Sequence, residues 1–96
     1  MSNALVSIQI IPSVPEGESV YEYVDAAIAV IKDAGVKYEV HPLETTMEGN
    51  LGDLMDVIQK MNDRMVTLGA GNIISQIKIL YQPDGIKLET LTEKYR

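Results

Sequence analysis

Two strand–helix–strand patterns of similar length follow one another along these 96 residues, and this repetition constrains the fold most. Period-two alternation and residues that suit a pleated surface predict four strands, at Ala4–Ile11, Val36–His41, Thr45–Glu48 and Asn72–Tyr81. Apolar residues spaced three or four apart predict one helix within each pattern. Gly35 and Gly69 follow these helices, where glycine suits a left-handed C-terminal cap.

Both helices are predicted to be amphipathic and to begin at a capping residue. The apolar stripe of the first helix consists of Val20, Val24, Ala27, Ile28 and Ile31. The stripe of the second consists of Leu51, Leu54, Met55, Ile58, Met61, Met65 and Leu68. Ser19 and Glu22 have the capping-box spacing, in which the serine hydroxyl accepts from the N–H of Glu22. Asn50 is a good N-cap for the second helix.

The element order is that of the split βαβ, ferredoxin-like fold, an α+β sandwich with the order βαββαβ. In that fold two helices cover one face of a four-stranded antiparallel sheet, and the first and third strands are central. We therefore expect Ser7 and Gln9 to lie beside the Thr45–Glu48 strand. They would share the open face of the sheet with Gln76 and Lys78. A bare sheet face on a small protein motivates the hypothesis of a homo-oligomer.

Length, charge and composition exclude several classes of function for this chain. Residues 1–96 fit one domain, whose short last helix is predicted from the spacing of Leu88, Leu91 and Tyr95. A net charge of −6 argues against nucleic acid, because no basic stripe is available to neutralise phosphates. The chain has one histidine and no cysteine, so we expect no metal site. No run of about 18 apolar residues and no apolar leader occurs, so we expect a cytoplasmic protein without membrane contact.

We find no catalytic signature. Gly69-Ala70-Gly71 follows a helix, whereas a phosphate-binding loop would precede one. Glu44 and Glu48 would lie about 13 Å apart on an extended strand, which does not suit a glycosidase pair. An enzyme on this fold would have to rely on His41, which we interpret as a surface or hydrogen-bonded loop residue. We therefore expect a protein that is not an enzyme.

Polar residues between the two patterns are candidates for ligand contact. Thr45 and Thr46 suit a strand in any case, but they lead into Glu48-Gly49, and glycine permits close backbone approach. Glu48, if half-buried, needs a partner, which could be Lys78 or a cationic ligand. Three tyrosines could stack on a flat ring of a ligand. We interpret all three as residues at the margin of the core, namely Tyr21, Tyr23 and Tyr38.

Several segments together resemble the YkoF-like thiamine-binding protein family. They are Ile8-Gln9-Ile10-Ile11-Pro12, Tyr23-Val24, Val36-Lys37-Tyr38-Glu39-Val40, Pro42-Leu43-Glu44-Thr45-Thr46-Met47-Glu48-Gly49 and Ile77-Lys78-Ile79. The resemblance spans roughly Ala4 to Tyr81, and Thr-Thr-Met-Glu-Gly is its most specific part. Family members more usually have glycine before the threonine, where this chain has Glu44 and Thr45.

The resemblance implies a ferredoxin-like subunit that assembles as a dimer of dimers, a homotetramer. It implies binding of thiamine or its hydroxymethylpyrimidine half in vitamin B1 salvage, transport or sensing, with no catalysis and no catalytic cofactor. Thr46 and Glu48 carry over by motif, and Ser7 and Gln9 follow as their strand neighbours. Thr45 and Tyr38 complete the candidate ligand-binding residues. The alternative is a structural or regulatory homo-oligomer whose open sheet face is only a subunit interface.

Overall fold

A computed structural model describes residues 3–82, 84, 91 and 93 of the chain. Its elements are β1 (Ala4–Pro12), α1 (Val20–Asp33), β2 (Lys37–Val40), β3 (Thr45–Gly49), α2 (Leu51–Leu68) and β4 (Ile73–Tyr81). The predicted element order is confirmed, and the predicted strand bounds differ from these by one residue at one or both ends. The predicted C-terminal helix falls mostly outside the described residues, because Leu88 and Tyr95 are not among them.

The four strands form one antiparallel sheet in the order β2-β3-β1-β4, so the prediction that β1 and β3 are central is confirmed. Ser7 lies opposite Thr46 of β3 and opposite Lys78 of β4. The pairing of β1 with β3 ends at Ile8 and Thr45, whereas its pairing with β4 continues to Pro12. The second half of β1 is therefore paired on one side only.

Both helices pack on the same face of the sheet. Val6 and Ile8 of β1 and Met47 of β3 alternate with residues of the other face and contact the helices. The buried core cluster consists of Val6, Ile8, Tyr23, Ala27, Ile31, Met47, Leu54, Val57, Ile58, Met61 and Met65. A fully buried Leu, Ile or Met side chain contributes about 1.5–3 kcal/mol, so this layer supplies most of the driving force for folding. Within the described residues, neither helix is long and apolar enough to cross a bilayer.

The helix ends largely match their predicted caps. Asn50 Oδ1 accepts from the N–H groups of Gly52 and Asp53, at 3.0 and 3.4 Å. Gly35 and Gly69 have φ values of +76° and +112°, the left-handed region in which glycine is unstrained. The capping-box prediction was wrong in detail. The Ser19 hydroxyl accepts from the N–H of Tyr21 at 3.2 Å, one residue earlier than predicted.

Several core predictions were wrong. Tyr23 is not at the margin of the core, because it is only 3% exposed and belongs to the buried cluster. Tyr21 is 77% exposed, and Val20 of the predicted α1 stripe is 45% exposed, whereas Tyr38 is half-buried against the core cluster, at its margin as predicted. Met55, predicted to lie in the stripe of α2, is 41% exposed, and Val57 is buried in its place. Val57 lies three residues after the fully buried Leu54 and shares its face, whereas Met55 is rotated about 100° away from Leu54.

Candidate functional site

The open face of the sheet, which points away from the helices, carries polar side chains from all four strands. Residues directly opposite one another in antiparallel strands project from the same face. One row across the sheet consists of Glu39, Thr46, Ser7 and Lys78. A second row consists of Lys37, Glu48, Leu5 and Leu80. Gln9 and Gln76 form a third. The prediction that Ser7, Gln9, Gln76 and Lys78 share the open face is confirmed.

A cavity of about 380 Å³, here called the open-face groove, lies at one end of this surface. It is lined by Ser7, Gln9, Leu43, Glu44, Gln76, Ile77 and Lys78. The groove thus combines a hydroxyl, two amides, a carboxylate and an ammonium group with two apolar side chains. Such a mixture can hydrogen-bond an aromatic heterocycle and still cover its faces.

Thr46 and Glu48 flank this groove along β3 without lining it. Both are half-buried, and they lie in the rows of Ser7 and Leu5, respectively. The predicted neighbour of Glu48, Lys78, lies in the row of Ser7 instead. Lys37 of β2 is the cation directly opposite Glu48, and sequence reasoning missed it. The signal was available, because a short β2–β3 connection that pairs Val40 with Thr45 fixes this register.

Thr45 and Tyr38 lie on the helix-covered face, away from the other four candidates. Thr45 is 8% exposed and is opposite Ile8 and Val40. Tyr38 is half-buried and is opposite Met47. The structure therefore brings Ser7, Gln9, Thr46 and Glu48 together on one face and separates them from Thr45 and Tyr38.

A second cavity of about 190 Å³, here called the α1 cavity, lies between α1 and the sheet. Val24, Ala27 and Ile28 of α1 form one wall. Other lining residues are Ile8, Gln9, Ile10, Val40, Thr45, Met61 and the β2–β3 connection, residues 41–44. Most of this lining is apolar. Sequence reasoning did not find the cavity, because it depends on how far α1 stands from the strand ends.

The β2–β3 connection is closed by a hydrogen bond from the His41 N–H to the Glu44 carbonyl at 2.8 Å. The His41 ring is exposed, and its Nε2 lies 3.3 Å from Glu39 Oε2. This contact fits the interpretation of His41 as a hydrogen-bonded surface residue. In the part of the chain that the structure describes, no group of three His, Cys, Asp or Glu residues could hold a metal ion.

Comparisons with known proteins agree on one family. A family model described as thiamine-binding protein matches residues 6–96. The chain is 44% identical to UPF0045 protein CPE1503 of Clostridium perfringens over 96 residues, which is 100% of both chains. The solved structure of a domain of unknown function, DUF77, from Bacillus cereus has a TM-score of 0.93 at 38% identity, covering 99% of this chain and 91% of that one. A Thermotoga maritima structure, provisionally assigned to thiamine biosynthesis or salvage, has a TM-score of 0.88 at 35% identity, covering 98% of this chain and 99% of that one.

Proposed function

The chain belongs to the thiamine-binding protein family, and we propose that it binds thiamine or the hydroxymethylpyrimidine half of thiamine without catalysing a reaction. We also propose that the protein is cytoplasmic and acts in vitamin B1 salvage, transport or sensing, as the sequence resemblance implies. We propose that residues 1–96 form one ferredoxin-like domain and that the protein uses no catalytic cofactor. The structure of a relative assigned provisionally to thiamine biosynthesis or salvage supports the vitamin assignment.

The observation that carries this proposal is the open-face groove. Its volume of about 380 Å³ lies within the ordinary range of small-molecule sites, about 300–1,000 Å³. Thiamine combines a hydrogen-bonding aminopyrimidine with a thiazolium cation. The Ser7 hydroxyl and the Gln9 and Gln76 amides supply donors and acceptors for polar groups of the ligand.

Carboxylates near the groove favour a cationic ligand. Glu44 lines it, and Glu48 lies farther along the same face. Lys78 also lines the groove and opposes a cation there, so we assign the thiazolium to the β3 side, toward Thr46 and Glu48, where Lys37 opposite Glu48 offsets part of the attraction. The net charge of −6 adds a weak long-range attraction for the same ligand.

Titration calorimetry with thiamine and with hydroxymethylpyrimidine tests the proposal on the wild type and Glu48→Gln. Both ligands are expected to bind the wild type. Glu48→Gln should weaken thiamine about threefold to tenfold and hydroxymethylpyrimidine by less than about twofold, because only thiamine carries the cation that the carboxylate attracts. Equal weakening of thiamine and hydroxymethylpyrimidine binding would show that Glu48 does not lie beside the thiazolium.

Asp56→Asn is the matched control for this experiment. Asp56 is an exposed residue of α2, in the helix layer on the other side of the sheet from Glu48. The control makes the same change in net charge as Glu48→Gln without touching the open face. It should leave both affinities at their wild-type values. A loss of thiamine affinity equal to that in Glu48→Gln would show that the effect comes from the net charge and not from the position of Glu48.

We propose a homo-oligomer, a dimer of dimers, as the assembled form, and a purely structural or regulatory oligomer as the alternative function. The exposed apolar side chains of β4 favour an assembly. Ile74 is 59% exposed and Leu80 is 43% exposed, and both are on the open face of a nine-residue edge strand. A long apolar edge strand is a template for pairing with another chain. In the alternative, thiamine would not raise the melting temperature at any concentration.

A further inference from the structure

The sheet has a notch where β1 outruns β3. Beyond Ile8, β1 continues beside β4 as far as Pro12, while the chain on the β3 side turns away into residues 41–44. Residues 9–12 and 41–44 are all described, and no backbone hydrogen bond joins the two segments. Successive residues of an extended strand direct their N–H and C=O groups to alternate sides. The Ser13 N–H donates to the Asn72 carbonyl on the β4 side. Alternation therefore directs the N–H and C=O of Ile10 to the notch, together with the C=O of Pro12, which has no N–H.

The two cavities adjoin at this notch. Gln9, Leu43 and Glu44 line both the open-face groove and the α1 cavity. Elsewhere the paired strands separate the two faces of the sheet. A molecule bound at the notch can therefore contact both cavities, whereas a molecule at Glu48 reaches only the open face.

The size of the α1 cavity selects one ring. A dry protein cavity of about 150 Å³ holds benzene, so about 190 Å³ holds one six-membered ring with small substituents and not two linked rings. Ile8, Ile10, Val24, Ala27 and Ile28 provide an apolar lining. These apolar side chains cannot replace the hydration of a cationic ring, and Glu44 lies where the cavity adjoins the open-face groove, so the ring that fits against the apolar wall is uncharged.

Thr45 gives the α1 cavity a polar group for such a ring. Its side chain lines the cavity and the residue is only 8% exposed. It makes no side-chain hydrogen bond to any residue that the structure describes. Among the described residues no buried side-chain polar atom lacks a partner, so the Thr45 hydroxyl is accessible from the cavity, where it can both donate to and accept from a ligand. This observation is independent of the notch and indicates the same occupant.

We propose that the aminopyrimidine ring of the ligand enters the α1 cavity at the notch, while the thiazolium remains on the open face. This inference rests on the proposed function and assigns the two halves of the ligand to two sides of the sheet. The amino N–H and the adjacent ring nitrogen of an aminopyrimidine form a donor–acceptor edge. That edge complements the C=O and N–H that β1 presents, and Thr45 binds a second polar atom of the ring.

The adjacent threonines provide the test. Thr45→Val and Thr46→Val remove the same hydroxyl from opposite faces of β3 and change the side-chain volume little. Titration with hydroxymethylpyrimidine should show affinity about tenfold lower in Thr45→Val, because a buried hydrogen bond is lost. The loss should be at least about fivefold greater than in Thr46→Val. An equal or reversed order would place the ring on the open face and overturn the inference while leaving thiamine binding intact.

A cavity-filling variant keeps the test independent of the folding of Thr45→Val. Ile28→Phe adds volume on the α1 wall of the cavity, and Val66→Phe makes a similar addition on the exposed side of α2 as its control. Hydroxymethylpyrimidine binding should be lost in a folded Ile28→Phe and retained in Val66→Phe. Wild-type affinity in a folded Ile28→Phe would overturn the inference. If neither ligand bound the folded wild type, the proposed function itself would fail, and this inference would fail with it.

Discussion

Tyr23 shows at the scale of one residue how a polar atom can be placed in an aliphatic core. Its hydroxyl oxygen lies 2.7 Å from the Leu68 carbonyl oxygen and 2.9 Å from Glu18 Oε2. The hydroxyl has one proton to donate and two acceptors within reach. It therefore ties the start of α1 to the end of α2. Sequence reasoning placed Tyr23 at the core margin because helical spacing cannot show that a partner 45 residues away is available.

Tyr23→Phe should lower the thermal stability of the protein by several degrees without changing the fold. The variant keeps the aromatic ring but leaves the Leu68 carbonyl without its donor. Differential scanning calorimetry at neutral pH measures the difference in Tm. Tyr21→Phe is the control, because Tyr21 is exposed and should tolerate the loss of its hydroxyl. Equal Tm values for wild type and Tyr23→Phe would contradict the account.

The same hydroxyl predicts a pH dependence. Burial, and then the hydrogen bond and charge of Glu18, raise the pKa of Tyr23 above its ordinary value of 10.0. A raised pKa in the folded state means that its contribution to stability is complete below about pH 10 and is lost as the pH rises from there through the folded-state pKa. Urea unfolding between pH 8 and about pH 11 should therefore show a steeper loss in the wild type than in Tyr23→Phe. Parallel curves would show that the hydroxyl does not titrate differently in the two states.

Thr45 and Thr46 mark what residue-level reasoning could and could not supply for the site. The motif proposed Thr46 and Glu48 as ligand contacts, and period-two alternation was sufficient to place Ser7 and Gln9 on their face. The same alternation means that adjacent strand residues cannot both face one side. Thr45 therefore lines the α1 cavity while Thr46 projects from the open face, and only the position of α1 defines that cavity.

At the scale of elements, the sequence patterns were most informative where local chemistry dominates. Helix caps and strand alternation depend on near neighbours, and Asn50, Gly35 and Gly69 were all predicted correctly. The unequal lengths of β1 and β3 were also visible in the sequence. The notch that results was not predicted, because it requires the register that pairs Ile8 with Thr45.

Asn50→Ala should destabilise the protein by about 1 kcal/mol, because the first turn of α2 loses its side-chain acceptor. Urea unfolding followed by circular dichroism measures the free energy of unfolding. Asn50→Asp should restore most of the loss, since aspartate caps as well as asparagine and its charge suits the helix N-terminus. An Asn50→Ala variant as stable as the wild type would show that the cap contributes nothing here.

At the scale of the whole molecule, β4 is the least covered element. Its residues are mostly exposed on both faces, in contrast to the buried first half of β1 beside it. The sequence predicted an open face from the ferredoxin-like element order, in which both helices cover the other face. It did not predict that the helix-side residues Ile77 and Ile79 would also be exposed, since that depends on how far α2 extends across the sheet.

Leu80→Lys should shift the protein toward a smaller assembly, because a charge on the open face of β4 opposes burial against another chain. Sedimentation velocity over a range of protein concentrations measures the assembly. Val66→Lys is the matched control, since Val66 is 61% exposed on α2 and away from β4. A wild type that sediments as a monomer at all concentrations would contradict the oligomer proposal.

Calorimetric titration of the folded wild-type protein with thiamine is the decisive experiment, because every other assignment of the site depends on thiamine binding. We expect saturable binding with about one thiamine per chain, together with a Tm that rises with thiamine concentration because the ligand binds the native state alone. No heat of binding and no change in Tm at millimolar thiamine, on protein shown to be folded, would contradict the proposal that this chain binds thiamine.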